Sequence, residues 1–364
     1  MNKLNFSLFL FLITFFHLRL ADAQEIERQL LFWENRTINI GTILEENGVV
    51  EVEFFGLNQT DSVIFIRDIV TDCGCTTADY SQDTIYQSKI GSVKVNFDPD
   101  HRGGAFTKMI IVRTNQDIYG DTLYLQGFNI PFPDDLGNAY PHRIQDVGFR
   151  LSAVNMGNVY TNEPKSKFIE IFNFSYEKLM LPDSINNHPE FLNVSLIPQT
   201  VEPNQRGLIE LKYDGHHRND FGYVEDVLML NFESKPEPVA LRLMANIFEH
   251  FEPVPKSLEK VVPRLGINDV EIDLKDINAN NVVNRKIKLS NQGQEELIIR
   301  KMISNCECMK VVADKAVLQS GESTDLEITF DPKGRRGIDH KHINIFSNDP
   351  VNPIRTIVIR SMIK

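Results

Sequence analysis

Two stretches of the chain repeat one another at a fixed distance, and this constrains the fold more than any other feature. Cys73-Gly74-Cys75 and Cys306-Glu307-Cys308 lie 233 positions apart. The same shift carries Phe97-Asp98-Pro99 onto Phe330-Asp331-Pro332, Arg102 and Gly104 onto Arg335 and Gly337, and Lys108 onto Lys341. It also carries Asn58-Gln59 onto Asn291-Gln292, Arg67 onto Arg300, and Thr114-Asn115 onto Ser347-Asn348. Between residues 49 and 115 the pairing needs no gap, so the chain holds two copies of one domain of about 100 residues. The stretch between them reads as a third, diverged copy. Phe168-Ile169-Glu170-Ile171-Phe172-Asn173 resembles the strand before the Asn-Gln turn, and Glu202-Pro203-Asn204 precedes Gly207 to Asp214 as Gly321-Glu322-Ser323 precedes Leu326 to Asp331. This copy has no cysteine, so the fold does not depend on one.

Each copy is made of short β segments with turn punctuation. Val50-Glu51-Val52-Glu53-Phe54 and Ile287-Lys288-Leu289 alternate with period two, the pattern of a half-buried strand. Val63-Ile64-Phe65-Ile66 and Leu297-Ile298-Ile299 are continuous apolar runs, which predict central strands. Phe-Asp-Pro ends a strand, because proline lacks a ladder donor, and the Gly-containing segment after it predicts a turn. No segment carries a long helical period. The expectation is an all-β chain of three tandem immunoglobulin-like β-sandwich domains, at 24–130, 131–252 and 253–364. Linkers are expected near Phe128 to Arg150 and Phe251 to Lys256.

The first 23 residues read as a cleaved signal peptide. Lys3 supplies the positive start, Leu4 to Phe16 the apolar run, and Ala21-Asp22-Ala23 the small residues of a cleavage site before Gln24. The run is too short to span a bilayer, and no later stretch approaches ~20 apolar residues. No cysteine stands near the cleavage position to carry a lipid anchor. The expected product is therefore exported, periplasmic or extracellular, and neither a lipoprotein nor an integral membrane protein. A formal net charge of -12 argues against nucleic acid and anionic membrane surfaces as partners, since both call for clustered Lys and Arg.

Asp72-Cys73-Gly74-Cys75-Thr76-Thr77, followed by Gly91, Val93 to Pro99, Arg102, Gly104 and the Thr114-Asn115 strand end, resembles domain-of-unknown-function family 1573. The resemblance covers 31–129 and, with Glu307 replacing the motif glycine, about 258–364. It implies an Ig-like fold similar to the ASH and major-sperm-protein domains, and a bacterial, Bacteroidetes-type source. It implies no activity.

For Cys73, Cys75, Cys306 and Cys308 four readings compete: local disulfides, buried free thiols, a copper or zinc site, or a redox pair. An exported chain favours disulfides, but an i to i+2 bridge closes a very small loop and needs a bent backbone, which Gly74 tolerates more readily than Glu307. Two thiolates suit Cu(I) or half of a zinc shell, with Met309 as a further sulfur. The usual dithiol motif, in contrast, has two intervening residues at a helix start. His340 and His342 share a strand face, and His216-His217 sits in a turn; both read as solvated. Arg102 and Arg335 read as ties from their turns to Asp98 and Asp331, and Trp33 as core. Asn35, Asn58, Asn173 and Asn193 fit the N-glycosylation pattern. No phosphate loop, nucleophile elbow or zinc-protease helix occurs, and no cofactor is implied. The expected function is a non-catalytic exported binding or scaffold protein whose partner is another envelope or exported protein. The alternative is a thiol-based metal or redox protein.

Overall fold

The computed structural model describes residues 30–364; the expected signal peptide and its cleavage position lie outside them. The chain is all-β, and its apolar side chains gather in three separate cores. It divides into two compact units, one ending at Asp134 and the other running from Asp135 to Lys364; the second unit contains two of the cores.

The first sandwich contains β1 (Leu31–Trp33), β2 (Thr37–Leu44), β3 (Val50–Asn58), β4 (Ile66–Thr71), β5 (Thr76–Tyr80), β6 (Ile90–Phe97), β7 (Gly104–Thr114) and β8 (Asp121–Ile130). Its two sheets have the orders β1-β3-β6-β5 and β2-β8-β7-β4. Alternation decides which side chains face inward: Val93, Val95 and Phe97 of β6 are fully buried, while Lys94 between them is exposed. They meet Ile110, Val112, Leu123 and Leu125 from the other sheet. Trp33 joins this core, and its Nε1 donates to Asp121 Oδ2 at 3.0 Å.

The second sandwich contains β9 (His142–Ile144), β10 (Val147–Phe149), β11 (Ala153–Tyr160), β12 (Lys165–Asn173), β13 (Leu179–Met180), β14 (Leu192–Ile197), β15 (Thr200–Val201), β16 (Arg206–Tyr213), β17 (Gly222–Leu230) and β18 (Val239–Phe248). A five-stranded sheet, β14-β16-β12-β10-β9, faces β11-β18-β17, and β13 pairs with β15. Two short helices, α1 (Leu136–Ala139) and α2 (Gly215–Arg218), are each capped by an aspartate, Asp135 and Asp214.

The third sandwich contains β19 (Leu265–Ile267), β20 (Glu271–Ile277), β21 (Val283–Asn291), β22 (Leu297–Ser304), β23 (Met309–Ala313), β24 (Val317–Leu318), β25 (Ser323–Phe330), β26 (Gly337–Ser347) and β27 (Ile354–Ile363). Its sheets are β19-β21-β25-β23 and β20-β27-β26-β22-β24. The 233-residue shift holds beyond the sequence match: it maps β3, β5, β6, β7 and β8 onto β21, β23, β25, β26 and β27 end for end.

Two devices recur in all three sandwiches. An early strand pairs parallel with the last one, and each ladder is broken by a bulge. At each bulge a side-chain oxygen of Asn39, Asn155 or Asp273 accepts the amide two residues on, from Gly41, Gly157 or Lys275, all in the left-handed region. The second device is a buried asparagine closing the strand before the turn. Asn58 donates to the carbonyls of Ser62 and Ile85, Asn173 to Glu177 and Val201, and Asn291 to Glu295 and Leu318, at 2.7 to 3.0 Å. Their Oδ1 atoms accept from Thr60, Ser175 and Gly293 amides. Asn58 and Asn173 are fully buried, which closes two of the four N-glycosylation patterns.

Two expectations need correction. Residues 63–66 do not form a central strand: β4 starts at Ile66 on a sheet edge, and Val63 and Phe65 are exposed. Ile64 and Ile66 turn inward, Ile64 held by a bridge to Ile85. Nor is 128–150 a linker throughout. Residues 142–149 form a hairpin that extends the second sandwich's sheet, because Val147 and Phe149 enter its core.

Candidate functional site

The first cysteine pair occupies the bend between β4 and β5. Thr76 N donates to Cys73 O at 3.2 Å, and Asp98 N donates to Cys75 O at 2.9 Å, which pins the bend to the Phe-Asp-Pro turn. The third sandwich repeats both bonds, from Met309 N to Cys306 O and from Asp331 N to Cys308 O. Each bend brings its two cysteines together, with Cα atoms 5.2 Å apart for Cys73 and Cys75 and 5.1 Å for Cys306 and Cys308; the sulfurs are paired. Neither bend requires glycine. A Cβ at Gly74 meets nothing within 4 Å, and neither Gly74 nor Glu307 has a left-handed backbone. Glycine in one copy and glutamate in the other therefore suit the same backbone.

The surroundings of the two pairs differ. Cys75 is buried in its core, whereas Arg335 Nη2 donates to Cys306 Sγ at 2.9 Å and Cys308 N donates to the same sulfur at 3.1 Å. Arg102, the repeat partner of Arg335, instead reaches the Asp100 carbonyl. The expected ties from these arginines to Asp98 and Asp331 are thus replaced by contacts to a carbonyl and a sulfur. Met309 points into the core of its sandwich, away from any role as a sulfur ligand beside Cys308. Among the described residues, one group of three has metal-ligand spacing: Glu45, Asp100 and His101, without a cysteine. Its Glu45 carboxylate already accepts the amides of His101 and Phe132. His340 and His342 are exposed on β26, and His217 Nδ1 lies 2.8 Å from Asp214 Oδ2 beside α2.

A second constellation was not visible in the sequence: the joint between the second and third sandwiches. Asp220, in the loop before β17, accepts from Lys301 Nζ at 2.5 Å and lies 3.9 Å from Arg218. Glu249, just past β18, receives Arg300 through Nε at 3.1 Å and Nη2 at 2.9 Å. Gly222 packs so closely that a Cβ there would sit 2.8 Å from Ile303 Cδ1 and from the Phe346 ring. Burial at the joint works to raise the Asp220 carboxyl, but the hydrogen bonds from Lys301 and the Phe221 amide, with both nearby cations, carry it below its ordinary value. Beside these ion pairs lies a cavity of about 320 Å³ lined by Tyr160, Phe221, Phe248, Phe346, Val351 and Pro353 among others. The repeat holds one hint of this joint, since Arg300 is the partner of Arg67.

The third polar cluster is structural. Glu170 is buried on β12 and accepts from Tyr140, from Arg150 and, at 2.8 Å, from the fully buried Arg206 guanidinium. Burial pushes its carboxyl up, yet the hydrogen bonds from Arg150, Tyr140 and Arg206 outweigh that and hold it below the usual glutamate range. Tyr140 packs on Phe172 and Phe174, and the Arg143 guanidinium lies 3.5 Å from the Phe174 ring centre.

Comparison with known proteins bears on the first and third sandwiches. The family model described as Protein of unknown function (DUF1573) matches residues 31–129 and 265–362. No curated protein matches the chain. Among solved structures, a protein of unknown function from Porphyromonas gingivalis W83 is 14% identical, with a TM-score of 0.42 over 60% of this chain and 99% of its own. The ASH / PapD-like domain 7 of human CEP192 is 12% identical, with a TM-score of 0.26 over 31% of this chain and 92% of its own. Both scores are too low to carry an argument, so the fold rests on the strand pairing and the family match. Among the described residues no helix is long and apolar enough to cross a membrane.

Proposed function

We propose, from the premise that this chain belongs to the DUF1573 family, that it is a non-catalytic exported binding or scaffold protein acting through protein–protein contacts in the cell envelope. The observation that carries this reading is the joint. Two ion pairs and the close contact at Gly222 hold two sandwiches in one compact unit, as suits a protein that presents surfaces at set positions. Exposed strand edges of such domains accept extended segments of partners by β-addition. The test is affinity capture after mild crosslinking with the chain as bait. A stoichiometric partner is expected, and its repeated absence would count decisively against the reading.

A second reading, thiol-based metal binding or redox exchange, is favoured by one observation: the Arg335 guanidinium against Cys306 Sγ. If that pair is reduced, a neighbouring cation favours the thiolate. Thiol titration with and without reductant, followed by mass spectrometry for bound copper and zinc, separates the two. Partner capture that is unchanged in Cys73→Ser/Cys75→Ser and Cys306→Ser/Cys308→Ser variants supports the scaffold.

A further inference from the structure

The repeat turns the joint into a prediction about the first sandwich. In the third sandwich the joint face is built from Arg300, Lys301 and Ile303 of β22, Phe346 of β26, and the loop at Val351 and Asn352. The 233-residue shift places Arg67, Asp68, Val70, Arg113, Ile118 and Tyr119 at these six positions in the first sandwich. The two faces share one backbone arrangement but differ in cover. Val351 and Asn352 are half-buried at the joint, whereas Ile118 and Tyr119, at the same positions of the first sandwich, are 61% and 84% exposed. An apolar pair that open, beside an arginine and an aspartate, has the make-up of an interface whose other half is missing.

The other half of the joint also has a free counterpart. In the second sandwich it is the end that carries Asp220, two residues before Gly222. In the third sandwich Arg335 stands two residues before Gly337, which opens the corresponding strand with the same left-handed backbone. A Cβ at Gly337 meets nothing within 4 Å, so this end is open where Gly222 is packed. The charges at the central contact are exchanged on both sides at once. At the joint an acid on the end, Asp220, meets a base on the face, Lys301. On the free pieces the end carries a base, Arg335, and the face an acid, Asp68. Lys333 and Arg336 are exposed on the same end while Arg67 and Arg113 stand on the face, so the charge attraction is carried by the Arg335–Asp68 contact alone.

We propose that the chain associates head to tail with a second copy of itself. The Gly337 end of one copy's third sandwich would sit on the Asp68, Val70, Ile118 and Tyr119 face of the next copy's first sandwich, repeating the geometry of the internal joint. The contact is heterologous, so it generates rings or filaments and does not stop at a two-fold dimer. The proposal rests on the binding reading above and names its partner. Asp68 accepts from Arg113 at 3.3 Å, with both side chains about half exposed, and so keeps room for a second cation.

Sedimentation velocity of the chain from Gln24 onward, over a wide range of protein concentration, tests it. The expected result is a mass that grows with concentration past the dimer. Asp68→Arg and Arg335→Asp should each weaken association about ten-fold by placing like charges together, and the double variant should restore it. Ile118→Asp/Tyr119→Asp should abolish it with no change in the circular dichroism spectrum or Tm. A chain that stays monomeric throughout, or a double variant no better than its parents, overturns the proposal. Capture of a different protein by a strictly monomeric chain also overturns it, while leaving the scaffold reading intact.

Discussion

The second and third sandwiches use the same asparagine and differ in what stands three residues before it. Before Asn173 that residue is Glu170, buried among Tyr140, Arg150 and Arg206; before Asn291 it is Lys288, exposed to solvent. Tyr140, ahead of the β9–β10 hairpin that lengthens the second sandwich's sheet, packs against Glu170 and Phe172 and turns a solvated position into a buried one. The third sandwich has no such cover, and carries a cysteine bend that the second lacks. The asparagine, common to both, is the part the fold needs. The carboxylate cluster and the cysteine bend are additions made copy by copy.

Substitution separates these classes, and the largest effect belongs to the cluster. Glu170→Gln takes the carboxylate away from a fully buried guanidinium and should destabilise the second sandwich by ~3–5 kcal/mol in denaturant unfolding. Lys288→Gln, at the matching exposed position, should stay within ~0.5 kcal/mol. Equal effects at the two positions would break the comparison. Next come the asparagines. Asn58→Ala, Asn173→Ala and Asn291→Ala each strip partners from buried carbonyls and should each cost about 2–4 kcal/mol, read as lost hydrogen-exchange protection in the sandwich concerned. A copy that tolerates the change would show that the shared device is not shared in energy.

Acid should act unevenly along the chain. The Glu170 and Asp220 carboxyls lie below their ordinary values. Their stabilisation is therefore fully present above the unfolded-state values, about 4, and is lost as pH falls through the folded ones. Denaturant midpoints measured from pH 7 to pH 2 should show the second sandwich weakening in acid. Glu170→Gln should flatten that slope, and a slope unchanged by the substitution would remove Glu170 as its cause. The smallest effect belongs to the cysteines. Their bends close loops of only three residues, so Cys73→Ser/Cys75→Ser and Cys306→Ser/Cys308→Ser should each cost no more than ~1–2 kcal/mol. A loss as large as the asparagine variants would make the bend part of the framework after all.

Much of the fold was legible because its signals are local. Period-two alternation marks Val50 to Phe54, Phe-Asp-Pro marks a strand end, and the constant shift marks the copies. The run 63–66 misled because an apolar run records burial without recording pairing: Ile64 is inside, yet Val63 and Phe65 flank an edge. The 128–150 stretch misled because Pro, Asp and Gly mark its turns, while Val147 and Phe149, which make it part of a sheet, are too few to show a period. The cysteine motif is legible because it is written twice in register, but that Gly74 and Glu307 suit the same backbone is not, since no residue type records the space around it. Arg335 against Cys306 joins residues 29 positions apart through a side chain, and no spacing rule announces that.

By itself the sequence determined the all-β class, the sandwich copied in register, and the cysteine motif present in the first and last copies and missing from the middle one. These follow from alternation, turn chemistry and repetition, each carried by neighbours along the chain. Only the tertiary structure decided that Glu170 is buried while Lys288 is not, that Asp220 and Glu249 meet Lys301 and Arg300, and that Ile118 and Tyr119 remain uncovered. The physical reason is common to all three. Burial and charge pairing belong to whichever surface arrives from elsewhere in the chain, and a residue's type carries no record of what will cover it.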